Sequence, residues 1–178
     1  MRLWHLDFAQ DDGFAGFVRL ADHGNVWWYW TYLVGVPGVD GIVVVRDHEV
    51  PPPRQGLEIR TEGLWAELFC ETPDDHWTFG CEAFGIVLDE PEDALRPGGE
   101  IGDRVAVGLD LEWEAPDIVH GEILVERGRF AFDGWGAFYV DIEPPLVTGE
   151  PIGRVLIPEF GERVLAVTAN GPVWGSAR

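Results

Sequence analysis

The sequence predicts an all-β chain of antiparallel strands, closed as a barrel or stacked as a sandwich. Three observations carry this. Short runs of β-branched and aromatic residues recur between turn signals at the roughly 8–12-residue spacing of sandwiches and barrels. No long stretch shows a helical period of apolar residues. The 23 Gly and 13 Pro among 178 residues supply the tight turns and bent strands that such a fold needs. One domain spanning residues 1–178 is expected, large enough to bury a real core.

Taken in order, Leu3, His5 and Asp7 alternate with Trp4, Leu6 and Phe8 in a first strand. Asp11-Asp12-Gly13 turns the chain, and Gly16 to Leu20 begins a second. Asp22-His23-Gly24-Asn25 turns again into Val26 to Val34, which holds three of the nine Trp. In that strand Trp27, Tyr29, Thr31 and Leu33 face one way, and Trp28, Trp30, Tyr32 and Val34 the other. Both faces are large and amphipathic, so the strand calls for cover on both sides. That demand, with the mixed polar and apolar residues of 76–88, favours the barrel over the sandwich. Ile42 to Arg46 is short and ends in the polar cluster Arg46-Asp47-His48-Glu49 before Pro51-Pro52-Pro53. Strands are expected at 57–60, 64–71 and 76–88, the last of these as one strand or two. Pro91 to Gly99 reads as the longest loop, and Arg104 to Glu114 alternates cleanly. A hairpin pairs 119–126 with 129–132, a separate strand covers 137–142, and 154–157 and 163–168 finish the pattern.

The balance of 12 basic against 32 acidic residues gives a net charge of −20, which repels nucleic acid and anionic membranes. No apolar run is long enough for a membrane span. The start Met1-Arg2-Leu3-Trp4-His5-Leu6-Asp7 lacks the apolar core of a signal peptide, so a cytoplasmic location is expected. Cys70 and Cys81 do not have metal-type spacing and read as small apolar residues in strands. No spacing brings carboxylates to one point, so no metal and no cofactor are expected. Nucleotide-binding and zinc-protease motifs are absent, and the lone serine, Ser176, argues against a serine hydrolase.

From Trp4 to about Gly136 an ordered series of short pieces carries a likeness. These include Gly16-Phe17-Val18-Arg19-Leu20, Trp28-Tyr29-Trp30, Arg46-Asp47-His48-Glu49-Val50-Pro51 and Gly56-Leu57-Glu58-Ile59-Arg60. Later come Glu62-Gly63-Leu64-Trp65-Ala66, Cys70-Glu71-Thr72-Pro73, Leu109-Asp110-Leu111-Glu112-Trp113-Glu114 and His120-Gly121-Glu122-Ile123. On these the chain resembles the lipocalin-type proteins grouped with AttH and hydroxyneurosporene synthase (carotenoid hydratase), in particular a single-barrel actinobacterial relative. The resemblance implies a lipocalin-like β-barrel that handles apolar molecules, and in the known members hydration or cyclisation of isoprenoid or polyketide-derived skeletons. The family usually has two barrels in tandem, and this chain is long enough for about one. A homodimer would restore the pair. The family's Asp-His-Ser-Trp-Gly motif is also missing, since Asp133-Gly134-Trp135-Gly136 runs directly into Ala137-Phe138-Tyr139.

Such chemistry needs an acid to protonate carbon and an aromatic surround for the resulting cation. Asp47 or Glu49 is a candidate acid with His48 as partner, although a strand exit with Arg46 paired to a carboxylate explains the same cluster more plainly. Glu82, among Phe79, Ala83, Phe84 and Ile86, is a second candidate that His76 would orient, unless that strand face is simply solvated. Trp28, Trp30, Tyr32, Trp65, His76 and Trp113 are the candidate ligand-binding residues, with plain core packing the alternative for the rings. The expected function is a cofactor-independent hydratase, cyclase or isomerase acting on an apolar isoprenoid or polyketide-derived molecule inside the barrel. The alternatives are a non-catalytic carrier of such a ligand and a domain with a filled core.

Overall fold

A computed structural model describes residues 1–89 and 102–142, and the backbone of three further strands at 154–157, 163–168 and 171–176. The described residues contain strands and turns with no helix, so none is long and apolar enough to cross a membrane. The first ten strands are β1 (Arg2–Ala9), β2 (Ala15–Asp22), β3 (Trp27–Val34), β4 (Ile42–Val50), β5 (Glu58–Arg60), β6 (Leu64–Thr72), β7 (His76–Leu88), β8 (Asp103–Glu114), β9 (Ile118–Val125) and β10 (Gly128–Val140). They form one antiparallel sheet in the order β4-β3-β2-β1-β10-β9-β8-β7-β6-β5. An additional β4–β7 pairing closes eight of them into a ring, leaving β6 and β5 as a flap. A separate three-stranded sheet joins β11 (Arg154–Ile157), β12 (Arg163–Thr168) and β13 (Gly171–Ser176). Its last strand approaches β1 and β10.

The ring closes over only three residue pairs, Ile42↔Leu88, Val43↔Val87 and Val44↔Ile86. Below them β7 pairs with β6 instead, from Leu64↔Ala83 to Thr72↔His76. Gly85 sits where β7 changes partner, and a Cβ there would lie 2.6 Å from the Val44 carbonyl oxygen. Only glycine lets the two backbones come that close.

The interior is filled. Alternation delivers Trp4, Leu6 and Phe8 from β1, Tyr29 and Leu33 from β3, Phe79 and Cys81 from β7, and Leu109, Leu111 and Trp113 from β8 into one apolar cluster. Phe8 meets Phe132 edge to face at 5.2 Å between ring centroids, and Phe14 meets Phe132 at 5.6 Å. The few polar atoms inside have partners. Trp113 Nε1 donates to the Gly136 carbonyl at 3.2 Å, and Thr31 Oγ1 donates to the Tyr29 hydroxyl at 2.9 Å.

Cys81 lies in this core beside the Tyr29 hydroxyl. Burial pushes its thiol up from 9.0 to about 12, partly offset by the hydrogen bond with Tyr29. Burial likewise raises Tyr29 well above its ordinary value. Both groups are neutral when protonated, so the folded state holds their protons more tightly than the unfolded chain does. Their stabilising effect is therefore complete below about pH 9 and is lost as pH rises towards 12. Denaturant titrations between those limits are expected to show stability falling. The slope should be shallower in Cys81→Ala.

Three elements differ from the sequence expectation. The strands expected at 129–132 and 137–142 are one continuous β10. Gly136 allows this, since a Cβ there would lie 2.1 Å from the Asp7 carbonyl oxygen. β4 runs on to Val50, so the polar cluster 46–49 lies within a strand. β13 was not expected, because its Gly171-Pro172 start reads as a turn. The loop expected at Pro91–Gly99 lies outside the described residues.

Candidate functional site

The two halves of the ring differ in how they meet solvent. β8 alternates buried with half-buried or exposed residues, as a strand with one solvated face should. In β1, β2 and β3 nearly every residue on both faces is buried. The sequence expectation of cover on both sides of the aromatic strand therefore holds, and it extends to its two neighbours.

Register shows what the second, outward face carries. Pairings Trp30↔Arg46, Arg19↔Trp30, His5↔Arg19 and His5↔Tyr139 set the side chains of Arg46, Trp30, Arg19, His5 and Tyr139 in a row across five strands. The row beside it holds Val44, Tyr32, Phe17, Asp7 and Ala137. His5, Asp7 and Arg19 are each 2% exposed or less. Burying three ionisable groups on the outside of a packed barrel costs free energy unless they are paired.

Within the rows, His5 Nε2 lies 2.5 Å from Asp7 Oδ1. The carboxylate fixes the orientation of the ring. Phe17 stacks on His5 at 5.4 Å and on Tyr32 at 5.0 Å, and Trp30 lies 5.3 Å from Tyr32. The Arg46 guanidinium sits over Trp30 at 5.4 Å from the ring centroid. Tyr139 packs against His5 at 6.2 Å between ring centroids. Desolvation, with the negative charge of Asp7 second, raises its phenol above the ordinary value, so it stays a proton donor. The set combines an oriented imidazole, a carboxylate, a phenol and a wall of aromatic rings, which is the equipment for moving a proton to or from an apolar molecule.

The residues singled out in the sequence fall in three places. Trp28, Trp30, Tyr32 and His48 come together on this outward layer. His48 stacks on Trp28 at 4.6 Å and meets Trp30 edge-on at 5.8 Å. Strand alternation sets Asp47 on the other side of β4 from His48, and the register shift between the Tyr29↔Asp47 and Trp27↔Val50 pairs leaves Glu49 exposed. Asp47 braces that irregularity, accepting from the Glu49 backbone N–H at 2.9 Å and from Thr61 Oγ1 at 3.0 Å. Trp65 and Glu82 are cross-strand neighbours on the outside of the other half. They line an open groove of about 1030 Å³ floored by Gly80 and Gly108. Trp113 is core, and His76 faces Glu112 beyond the end of that groove. Thus His76 and Glu82, and Asp47 and His48, do not share a site.

His5, Asp7, Arg19 and Tyr139 were not singled out from the sequence. The signal was present in β1, where His5 and Asp7 alternate with Trp4, Leu6 and Phe8. An ordinary solvated face gives the same pattern, so only burial separates the two cases. Comparison of the chain with protein-family models, with curated proteins and with solved structures finds no match.

Proposed function

We propose that the protein binds an apolar isoprenoid or polyketide-type molecule on the outward aromatic layer of β1–β4 and β10 and transfers a proton there. The reaction class is hydration, cyclisation or isomerisation, with the chain's own residues as the only acids and bases. The observation that carries this is the His5–Asp7 pair buried on the outside of a filled barrel. Phe17, Trp30 and Tyr32 would shield a cation formed from an alkene, since ring faces attract positive charge. His5, held by Asp7, would deliver or remove the proton, and Tyr139 would donate a hydrogen bond to a developing oxygen centre. The resemblance to the AttH and carotenoid hydratase group supports the same class of substrate. In this reading the ligand reaches the outward layer only when what covers His5, Phe17, Trp30 and Tyr32 parts, since those residues are buried and the inside of the barrel is occupied by side chains.

Farnesol, geranylgeraniol and anthraquinone serve as probes. Saturable quenching of tryptophan fluorescence is expected for at least one, followed on incubation by a product of altered mass or retention. His5→Gln should keep the binding and lose the product. Binding without turnover in the parent protein would leave a carrier, and no saturable binding to any probe would overturn the reading.

A further inference from the structure

We propose that His76, Glu112 and Glu114 form a divalent-cation site on the outward face of β7 and β8, with His120 of β9 as a fourth side chain, and that the ion is Zn²⁺. The site is independent of the His5–Asp7 layer and is not needed for the proton transfer proposed there.

Strand β8 lies between β7 and β9, and the pairing places His76 opposite Glu114 and His120 opposite Glu112. All four point to the same side. The hydrogen bonds, however, run along the diagonals. His76 Nε2 lies 2.9 Å from Glu112 Oε2, and His120 Nε2 lies 3.0 Å from Glu114 Oε1. These crossed contacts draw the two carboxylates inward. Residues two apart on a strand have backbones ~7 Å apart, yet one ligand atom from each of His76, Glu112 and Glu114 falls within 4.8 Å of the others. Donors bound to a common ion at 2.0–2.2 Å stand about 3–4 Å apart, so modest side-chain rotation closes the set.

The donor types select the ion. Hard cations such as Ca²⁺ and Mg²⁺ prefer all-oxygen sites, whereas imidazole nitrogen with carboxylate oxygen suits Zn²⁺. In each contact an imidazole nitrogen and a carboxylate oxygen share one proton, the position that a metal takes on displacing it. Side-chain exposures of 29% to 48% leave the cluster open to the solution. The chain's charge of −20 raises the local concentration of cations. His120 either completes a tetrahedron or, holding Glu114 by hydrogen bond, fixes the angle of that carboxylate.

Calorimetric titration of the chelator-treated full chain with Zn²⁺ alone tests this. One saturable ion per chain is expected, with millimolar Mg²⁺ or Ca²⁺ failing to compete. His76→Ala should weaken binding by about tenfold or more, and His76→Ala/His120→Ala should abolish this event. Co²⁺ in place of Zn²⁺ should give the visible absorption of a low-coordinate nitrogen and oxygen site, lost in the same variants. Metal-free melting curves of the variants check that they fold, which is expected because the positions are at the surface. Absence of saturable binding overturns the proposal. So does binding of unchanged affinity in the double variant, which would place the ion on other acidic or histidine side chains.

Discussion

Replacing Asp7 by alanine is expected to cost about 3–5 kcal/mol of folding stability, far more than an ordinary surface carboxylate. His5 would then lose the acceptor 2.5 Å away while remaining buried. Tyr139 would lose the charge that adds to the rise of its pKa, while its desolvation would remain. Asp7→Asn keeps the shape and one acceptor oxygen, so its penalty should be smaller, about 1–3 kcal/mol. Urea titrations of the three proteins at neutral pH give the comparison. A loss below about 1 kcal/mol in Asp7→Ala would mean that water reaches the pair. The outward layer would then be an ordinary solvated face, and the proposed proton-transfer site would lose its physical basis.

Phe8→Ala is the second large effect. Its ring is fully buried and packs edge to face on Phe132 at 5.2 Å. Truncation removes a large apolar group and leaves a cavity in a close-packed interior, which costs about 3–5 kcal/mol. Phe84→Ala is its contrast. That ring is 55% exposed, with the Arg104 guanidinium over it at 4.0 Å from the ring centroid. Its loss should cost less than about 1 kcal/mol. Thermal or urea unfolding of both variants reads the difference. Equal, small losses would mean that the barrel interior yields readily to a void, and a ligand inside the barrel would again be the better account.

Much of the fold was legible because strand periodicity is a local property. The alternation of Val105 to Trp113 and the doubly apolar run Trp27 to Val34 each state which faces need burial, and the structure buries them. What was illegible depends on pairing between distant strands. Asp133 to Gly136 reads as a break, yet it is strand because β1 and Ile118–Val119 of β9 close against it. Arg46 to Glu49 reads as an exit to a loop, yet it continues a strand and turns on a register shift. The row from Arg46 to Tyr139 draws on positions separated by most of the chain. Trp30 and Tyr32 were recognisable as candidates by their size, whereas His5, Asp7 and Arg19 differ from solvated polar residues only by what covers them. The His76, Glu112 and His120 cluster was hidden for the same reason, since β7, β8 and β9 had first to be laid side by side.

The short closure between β4 and β7 sets how the molecule should breathe. A cylinder sealed along most of its length opens only when the whole chain unfolds. Here three residue pairs carry the seal, and on either side of them β4 and β7 have other partners that remain when it parts. Opening at Val43 to Val44 and Ile86 to Leu88 is then a local event, reached well below the free energy of global unfolding. Amide protons that bridge this seam should exchange with solvent deuterium sooner than those joining β1 to β2 or β7 to β8. The ring would act as two curved sheets sharing a hinge along β1, β10 and β9, with a slit opposite that admits water before the rest of the barrel does.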